Sequence, residues 1–556
     1  MPRRFLTRRG DLVLAAALFA ALAALSWLRW ASFQGDLNRE WTVPMRVAAG
    51  ERLYRDVGYY YGPLAPHAVG ASFRVFGTTV GTYVGFGLLS AAGTLAALLI
   101  AGRRFLPVSA SAGVAAVAVG VLAFAPENGA LVAPYAMAAL LAVGLAWGAL
   151  LAAASGRVGL AGLLGGLVLL AKPEAAPALL GAALAAGSAR ATVRLLAVAG
   201  LLAGAGYAAA ASGIPLADLV SYGPLRHFSM PPEFRELYLR VSGLHPAFLP
   251  RGVGGLLAGG ALLGGGAILA TGIAVRSAKR AAAGGTLAAA GLLAGALLLG
   301  EPVVTTGVRG LPLLLAVAGA VALLDLRRGD ATARLPLAAA LVGLAFAWRT
   351  ALWTVPVFPY APLAAVSSLP GVAWLLAVRG PRAVTAEDVR SRAGLLAVVP
   401  LLLAPLLFLP RLVEFYRAPR TEVAGPAGRW LPPGEEGVLF SRLADHLERV
   451  APRDRDLVVL PEAGALSFLL GVRSPLRFEQ VLPGHVDARV DRDLAEGLDR
   501  FRPTRIVLVS RPTPELGPSV FGRDFGREIA ARLARDYEVE ARFAAGERRA
   551  VVLRRR

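Results

Sequence analysis

The chain has 556 residues, 56% of them hydrophobic, and a mean hydropathy of +0.59, which is typical of a polytopic membrane protein and excludes an ordinary soluble domain. The formal net charge is +21, and only Lys172 and Lys279 among the 58 basic residues are lysines. Many arginines lie in short linkers between apolar runs, which favours membrane topology over a nucleic-acid partner. The absence of cysteine excludes a disulfide framework, a thiolate nucleophile and a thiolate metal site.

Apolar runs long enough to cross a bilayer recur along residues 1–410, since a span needs about 20 apolar residues. The predicted spans are 11–31, 79–101, 107–125, 133–155, a broken pair within 158–188, 195–212, 252–275, 281–299, 303–325, 335–350, 357–378 and 393–410. The first run follows basic residues and has no convincing cleavage site, which indicates a retained span with a cytoplasmic amino terminus. Nearly every predicted span that ends on the cytoplasmic side is followed there by a cluster of arginines. The sequence therefore predicts about thirteen spans in the plasma (inner) membrane.

Three segments are predicted to lie outside the membrane on the extracytoplasmic side: a first loop at 32–67, a second long loop at 213–251, and everything after 411. Residues 411–556 combine frequent charges with alternating short helices and strands, which predicts a small α/β domain. The predicted elements are helices at 443–450, 463–470 and 528–536 and strands at 456–460, 505–510 and 551–553. This domain has no phosphate-binding loop or nucleophile elbow, so we expect the chemistry within residues 1–410.

The first loop carries the acids that could act in catalysis. Asp36 follows the first predicted span, where a carboxylate could accept a proton from an attacking hydroxyl, bind a cation, or simply be solvated. Glu40 lies four residues on, at the spacing that places two side chains on one helix face. A divalent cation, Mg²⁺ or Mn²⁺, held by Asp36 and Glu40 is a candidate cofactor, but Arg39 is an equally ordinary partner for either acid.

Further polar residues lie where they could hold a substrate. Arg55, Asp56, Tyr60 and Tyr61 form an amphipathic surface that could contact a sugar or lie at the lipid headgroups. The run before Lys172 has 14 residues, which as helix would reach only about 21 Å, less than the hydrocarbon core of about 30 Å. Lys172 would then face a cavity or extend to the surface, with Glu174 as an acidic neighbour. Arg309 and Arg349, near predicted outer helix ends, could clamp a phosphate or anchor at the interface.

The first loop resembles that of GT-C-fold glycosyltransferases, in particular the dolichyl-phosphate-mannose protein mannosyltransferase-like group (glycosyltransferase family 39-like). The matching residues are Asp36, Pro44, Ala48, Gly50, Glu51, Tyr54, Arg55, Asp56, Tyr61, Gly62, Pro63, Leu64 and Pro66, with further matches at Lys172-Pro173-Glu174, Leu460-Pro461-Glu462 and 468–475. The resemblance implies inverting transfer of a sugar from a polyprenyl-phosphate donor to a protein, lipid or glycan acceptor at the outer face. It also implies that Asp36 is the catalytic base. This sequence lacks the family's tight pair of acids, which leaves the role of Glu40 and the metal open.

Two other functions stay open at this point. A transporter or flippase for a lipid-linked or anionic solute would also need many spans and a buried lysine, although no convincing internal repeat is present. A degenerate member of the resembling family could act as a binding or assembly protein. Membrane lipids are expected partners in every case.

Overall fold

The computed structural model describes most of the chain. The described residues are 2–30, 32, 37–126, 130–134, 136–230, 232–261, 301–352, 361–379, 405–406, 408–450, 453–478, 480–483, 486–510 and 520–556. The predicted span 281–299 and most of 393–410 lie outside them, as does the second half of 252–275. Asp36 also lies outside the described residues.

Helices of 7 to 27 residues, most of them apolar, make up the amino-terminal part. The helices are α1 Pro2–Leu25, α2 Leu37–Ala48, α3 Leu64–Phe76, α4 Val80–Gly102, α5 Val108–Val117, α6 Met137–Ala154, α7 Val158–Ala171, α8 Ala178–Ala185, α9 Ala189–Ala211, α10 Leu216–Tyr222, α11 Pro232–Val241, α12 Glu301–Arg327, α13 Arg334–Ala347 and α14 Ala361–Trp374. A π-helical turn, Ala118–Ala123, continues α5, and another, Leu375–Arg379, continues α14. Residues 249–261 and 408–417 are also helical.

Six helices among the described residues are long and apolar enough to cross a membrane, which confirms six of the predicted spans in kind. They are Val80–Gly102, Met137–Ala154, Ala189–Ala211, Gly307–Arg327, Ala331–Thr350 and Pro362–Arg379. The boundaries differ where the sequence holds a capping residue. The helix predicted from 195 begins at Ala189, because the Ser188 side chain accepts a hydrogen bond from the Ala191 N–H and so caps it.

The broken pair predicted within 158–188 is confirmed as two short helices. Helix α7 ends at Ala171, and a single 3₁₀ turn, Pro173–Ala175, precedes α8. Pro173 and Pro177 cannot donate a backbone hydrogen bond, so they fit the starts of helical segments and interrupt a continuous one. Helix α7 packs between α6 and α9. The turn therefore brings Lys172 and Glu174 to the end of a tightly packed helix layer.

Residues 37–48 of the first loop form a helix that is packed inside the protein. Every residue of α2 from Leu37 to Val47 is buried. The reason is a row of apolar side chains four residues apart, of which Trp41 packs its ring against those of Tyr83, Trp430 and Phe468. Tyr60, which we expected to contact a sugar or to lie at the lipid headgroups, is also buried, as is Tyr59.

The carboxyl-terminal part is an α/β region with two sheets. Its elements are β1 Val423–Gly425, β2 Gly428–Trp430, α15 Gly434–Val450, β3 Leu457–Leu460, α16 Gly464–Leu469, α17 Ala488–Phe501, β4 Arg505–Val509, α18 Arg527–Asp536, β5 Tyr537–Ala545 and β6 Arg548–Arg555. Strands β1 and β2 form a hairpin, and the larger sheet has the order β3-β4-β6-β5. Strands β3 and β4 are parallel, and the others are antiparallel. All six predicted elements of this region are confirmed in type.

The carboxyl-terminal region packs directly on the first loop. The side-chain oxygen of Asn38 accepts the Ala465 N–H at 2.7 Å, and Arg46 donates to the carbonyl of Leu476 at 2.6 Å. Further along, the Gly58 N–H donates to the carbonyl of Arg477 at 2.7 Å. These contacts hold α2 between the apolar helices and the sheet region.

Candidate functional site

Glu40 lies at the beginning of α2 and is held from two sides. One carboxylate oxygen accepts the Met137 N–H at 3.1 Å, and the other lies 3.4 Å from Nε of Arg39. Met137 is the first residue of α6, so Glu40 satisfies a free N–H of that helix and interacts favourably with its dipole. Glu40 therefore fastens the first loop to the amino end of an apolar helix.

Tyr61 lies between two cations from distant parts of the chain. The guanidinium of Arg39 lies 4.9 Å from the centre of the Tyr61 ring, and Nζ of Lys172 lies 4.6 Å from it. Both distances are within the range of cation–π attraction. The first loop is thereby joined to the turn after α7, and Arg39, which carried no predicted role beyond an ion pair, becomes part of the same site.

Lys172, Glu174 and Arg349 converge on one pocket between the helices. Nζ of Lys172 lies 2.5 Å from a Glu174 carboxylate oxygen, and a guanidinium nitrogen of Arg349 lies 3.6 Å from that oxygen. Lys172 is buried, whereas Glu174 and Arg349 are partly exposed. The pocket is lined by Ala139, Val143, Lys172, Glu174, Ala175, Ala345, Phe346, Arg349, Leu363 and Ala364. Two cations on either side of one carboxylate make a place where an oxyanion can bind.

Gly62 allows the first loop to approach α7 closely beside this pocket. A Cβ added at Gly62 would lie 2.0 Å from the carbonyl oxygen of Leu170, a backbone atom that cannot simply rotate away. We predict that Gly62→Ala lowers the free energy of unfolding by about 1–3 kcal/mol. Thermal unfolding of the purified protein measures this, with Gly93→Ala as control, because a Cβ there has nothing within 4 Å. Equal melting temperatures for the two variants would contradict the close approach.

Arg55, Asp56 and Tyr60 lie elsewhere, so the predicted substrate residues divide into two groups. Arg55 and Asp56 form an ion pair at 2.9 Å and line a separate, arginine-rich cleft between the first loop and α17. Burial alone would raise the pKa of the Asp56 carboxyl, but the hydrogen bond from Arg55 and the Arg52 N–H outweigh it and lower that pKa below its usual value. The Tyr60 ring packs on Phe478 at 4.9 Å. The structure does not bring these three residues to the Lys172 pocket.

Arg309 also lies away from the Lys172 pocket. It is in the third turn of α12, where its side chain comes within 3.1 Å of the position that a Cβ on Gly255 would take. It does not line the pocket that Lys172, Glu174 and Arg349 share. The structure therefore joins one of the two predicted arginines, Arg349, to the lysine.

Two residues of the carboxyl-terminal region complete the buried network, and sequence reasoning gave neither a role. The Gln480 side-chain oxygen accepts a hydrogen bond from Arg39 at 3.0 Å, and its amide nitrogen donates to Glu462 at 2.9 Å. Glu462 belongs to the Leu460-Pro461-Glu462 match, which was the one available signal. Gln480 is a lone glutamine in a loop, and nothing in its neighbourhood in sequence distinguishes it.

The described residues offer little to a divalent cation. They contain no group of three or more histidine, aspartate or glutamate side chains that could hold a metal ion. Both oxygens of Glu40 face protein donors, and the guanidinium of Arg39 would repel a cation there. Asp36, the other predicted ligand, lies outside the described residues.

The fold is similar to those of two solved membrane-protein structures. ArnT from Cupriavidus metallidurans, solved in the apo state and bound to undecaprenyl phosphate, is 14% identical with a TM-score of 0.49, and the match covers 98% of each chain. The archaeal oligosaccharyltransferase AglB from Archaeoglobus fulgidus, in complex with an inhibitory peptide and a dolichol-phosphate, is 12% identical with a TM-score of 0.43. That match covers 90% of this chain and 70% of AglB. No protein-family model matches the sequence. No curated protein matches it either.

Proposed function

We propose that the protein is a polytopic membrane glycosyltransferase that transfers a sugar, with inversion, from a polyprenyl-phosphate donor to an acceptor at the extracytoplasmic face. One observation carries the proposal. Lys172 and Arg349, which are far apart in sequence, line one pocket between apolar helices, and Tyr61 of the first loop lies against Lys172. A lipid-anchored phosphate needs cations at such a place, and the first-loop motif supplies the acid for the acceptor.

The chemistry needs one base and a stabilised leaving group. The acceptor hydroxyl attacks the anomeric carbon from the face opposite the phosphate and gives its proton to the Asp36 carboxylate. The bond between the anomeric carbon and the phosphate oxygen breaks, and its electron pair leaves with the polyprenyl phosphate. Lys172 and Arg349 stabilise that charge in a site of low dielectric constant. Glu40 is held by Arg39 and the Met137 N–H and takes no part in these steps.

Glu174 defines where the phosphate would bind. Its carboxylate lies between Lys172 and Arg349, so the donor phosphate would take that position and displace it. Glu174 then compensates the charge of the two cations before the donor binds, since a buried lysine without a partner is costly. The same geometry makes Glu174 a competitor of the donor.

We predict that Glu174→Gln lowers the KM for the polyprenyl-phosphate sugar about three- to tenfold, because the variant removes the competing negative charge. Initial-rate kinetics of the purified protein measure the effect. Glu538→Gln is the matched control, since Glu538 forms an exposed ion pair with Arg554 between strands β5 and β6 of the sheet region. A KM that rises in Glu174→Gln would show that the carboxylate assists donor binding and would contradict the displacement.

The proposal as a whole is tested by sugar transfer with purified protein in detergent. Transfer from a polyprenyl-phosphate sugar needs no sealed compartment, whereas transport or flipping does. Activity in detergent therefore supports the transferase, and solute movement in sealed vesicles without any sugar transfer would support the transporter.

A further inference from the structure

A row of buried polar side chains connects the carboxyl-terminal region to the beginning of α2. It runs from Glu462 through Gln480 to Arg39 and Glu40, with successive contacts at 2.9, 3.0 and 3.4 Å. All four residues are at most 4% exposed. Buried polar groups are retained at a high cost unless each is paired, so such a row fixes the relative position of the parts it joins.

Gln480 is the chemically decisive member of this row. An arginine only donates hydrogen bonds and a carboxylate only accepts them, so the residue between them must accept on one side and donate on the other. A glutamine amide does both, which also fixes its orientation: the oxygen faces Arg39 and the nitrogen faces Glu462. An apolar residue of the same size would leave both neighbours with one contact fewer.

The backbone holds Gln480 and Glu462 together. Glu462 follows β3 closely, and the Val481 N–H donates to the carbonyl of Pro461 at 2.8 Å. The two side chains therefore extend from adjacent backbone segments anchored to the larger sheet. On the other side, Arg39 contacts the Tyr61 ring that also contacts Lys172. The sheet region thus reaches the phosphate pocket through three successive contacts.

We propose that Gln480 is a positioning residue: it holds Arg39, and through Arg39 it sets the position of Glu40 and Tyr61 in the site. The carboxyl-terminal region is then a part of the catalytic unit. This inference rests on the proposed function, because the consequence of positioning is a faster transfer step.

The first test is Gln480→Met, which keeps the volume and removes both hydrogen bonds. We expect kcat for sugar transfer to fall about tenfold or more, with the donor KM changed less than about twofold. The reason is that misplacement of Arg39 and Glu40 reduces the stabilisation of the transition state, whereas Lys172 and Arg349 still bind the phosphate. Tyr537→Phe is the matched control, since it removes a buried hydrogen bond to the Pro503 carbonyl within the sheet region alone. An equal loss of kcat in the control would overturn the positioning role.

A swap provides the rescue. Gln480→Glu alone places two carboxylates about 3 Å apart and should lower kcat at least as far as Gln480→Met. Combined with Glu462→Gln, it restores an acceptor toward Arg39, a donor between the two positions and the original net charge. The double variant is expected to recover kcat to within about threefold of the wild type, because the effects of substitutions at two residues in direct contact do not add. No recovery would overturn the proposal.

Hydrogen exchange over residues 37–48 separates this inference from the proposed function, since it needs no activity. Exchange in α2 should accelerate in Gln480→Met and return to the wild-type rate in the double swap. Absence of transfer by the wild type would refute the glycosyltransferase proposal, and unchanged exchange in Gln480→Met would refute the connection itself.

Discussion

Asp36→Asn is expected to reduce sugar transfer about 100- to 10,000-fold, because the amide cannot take the proton of the acceptor hydroxyl. Membrane insertion and donor binding should stay at the wild-type level, since in the proposed site Lys172 and Arg349, and not Asp36, bind the phosphate. Single-turnover transfer by the purified variant, with bound donor measured in parallel, gives both quantities.

The matched control for this variant is Asp445→Asn, an exposed aspartate on α15. It should transfer sugar at the wild-type rate. Transfer by Asp36→Asn at more than about a tenth of that rate would remove Asp36 from the role of base and direct attention to the other first-loop acids. If Asp36→Asn no longer inserts into the membrane, its loss of transfer is a folding effect. Asp36→Glu, which keeps the carboxylate, would then test whether Asp36 is the base.

Lys172→Gln carries the second large expected effect. The ammonium is buried beside Glu174 and Tyr61, so its charge acts on a bound phosphate with little screening. We expect kcat/KM for the polyprenyl-phosphate sugar to fall about 100-fold or more, as when a preorganised donor to a developing anion is removed. Steady-state kinetics over a range of donor concentrations measure this ratio.

Two further variants sharpen the test of Lys172. Lys172→Arg keeps the charge but changes its geometry and hydration, so it should lie between the wild type and Lys172→Gln. Lys279→Gln replaces the only other lysine in the chain, in the predicted cytoplasmic cluster, and should leave the kinetics unchanged. A fall of kcat/KM in Lys172→Gln no greater than in Lys279→Gln would exclude Lys172 from the phosphate site.

Hydropathy and charge predict much of the fold because they act locally. A helix such as α4 or α6 is apolar along its whole length, so hydropathy alone indicates a span there. The sheet region was predicted where strands are apolar, as in β3, whose four residues are all buried. The hairpin of β5 and most of β6 was missed, because their many charged residues hide the alternation that indicates a strand.

The candidate site was only partly predictable, since it depends on contacts between distant segments. Lys172 was identified because a short helix would leave it within the membrane, which is a local argument. Arg349 shares the pocket of Lys172, whereas Arg309 does not line it. This difference depends on how α12 and α13 pack, which the sequence does not reveal. Gln480 could not be found from the sequence, because its role comes entirely from the two buried charges on either side of it.

The burial of α2 has the same explanation. Its sequence mixes Arg39, Glu40 and Arg46 with apolar residues, which indicates a surface segment when it is considered alone. In the fold each of these charges finds a fixed partner: Arg39 in Gln480, Glu40 in the Met137 N–H and Arg46 in Glu51. Burial of charge is tolerated only with such partners, and their positions are tertiary information.

Donor turnover by the purified wild-type protein is the most direct test of the central claim. The protein in detergent is incubated with a panel of polyprenyl-phosphate sugars and an extract of envelope lipids and glycans as acceptor, and released polyprenyl phosphate is measured beside sugar bound to acceptor. We expect equal amounts of the two products for at least one donor, and about a hundredth or less of either product with Asp36→Asn. Suppose that neither product forms with any donor, while the same protein binds polyprenyl phosphate and moves it across the membrane of sealed vesicles. That result would contradict the proposed glycosyltransferase activity.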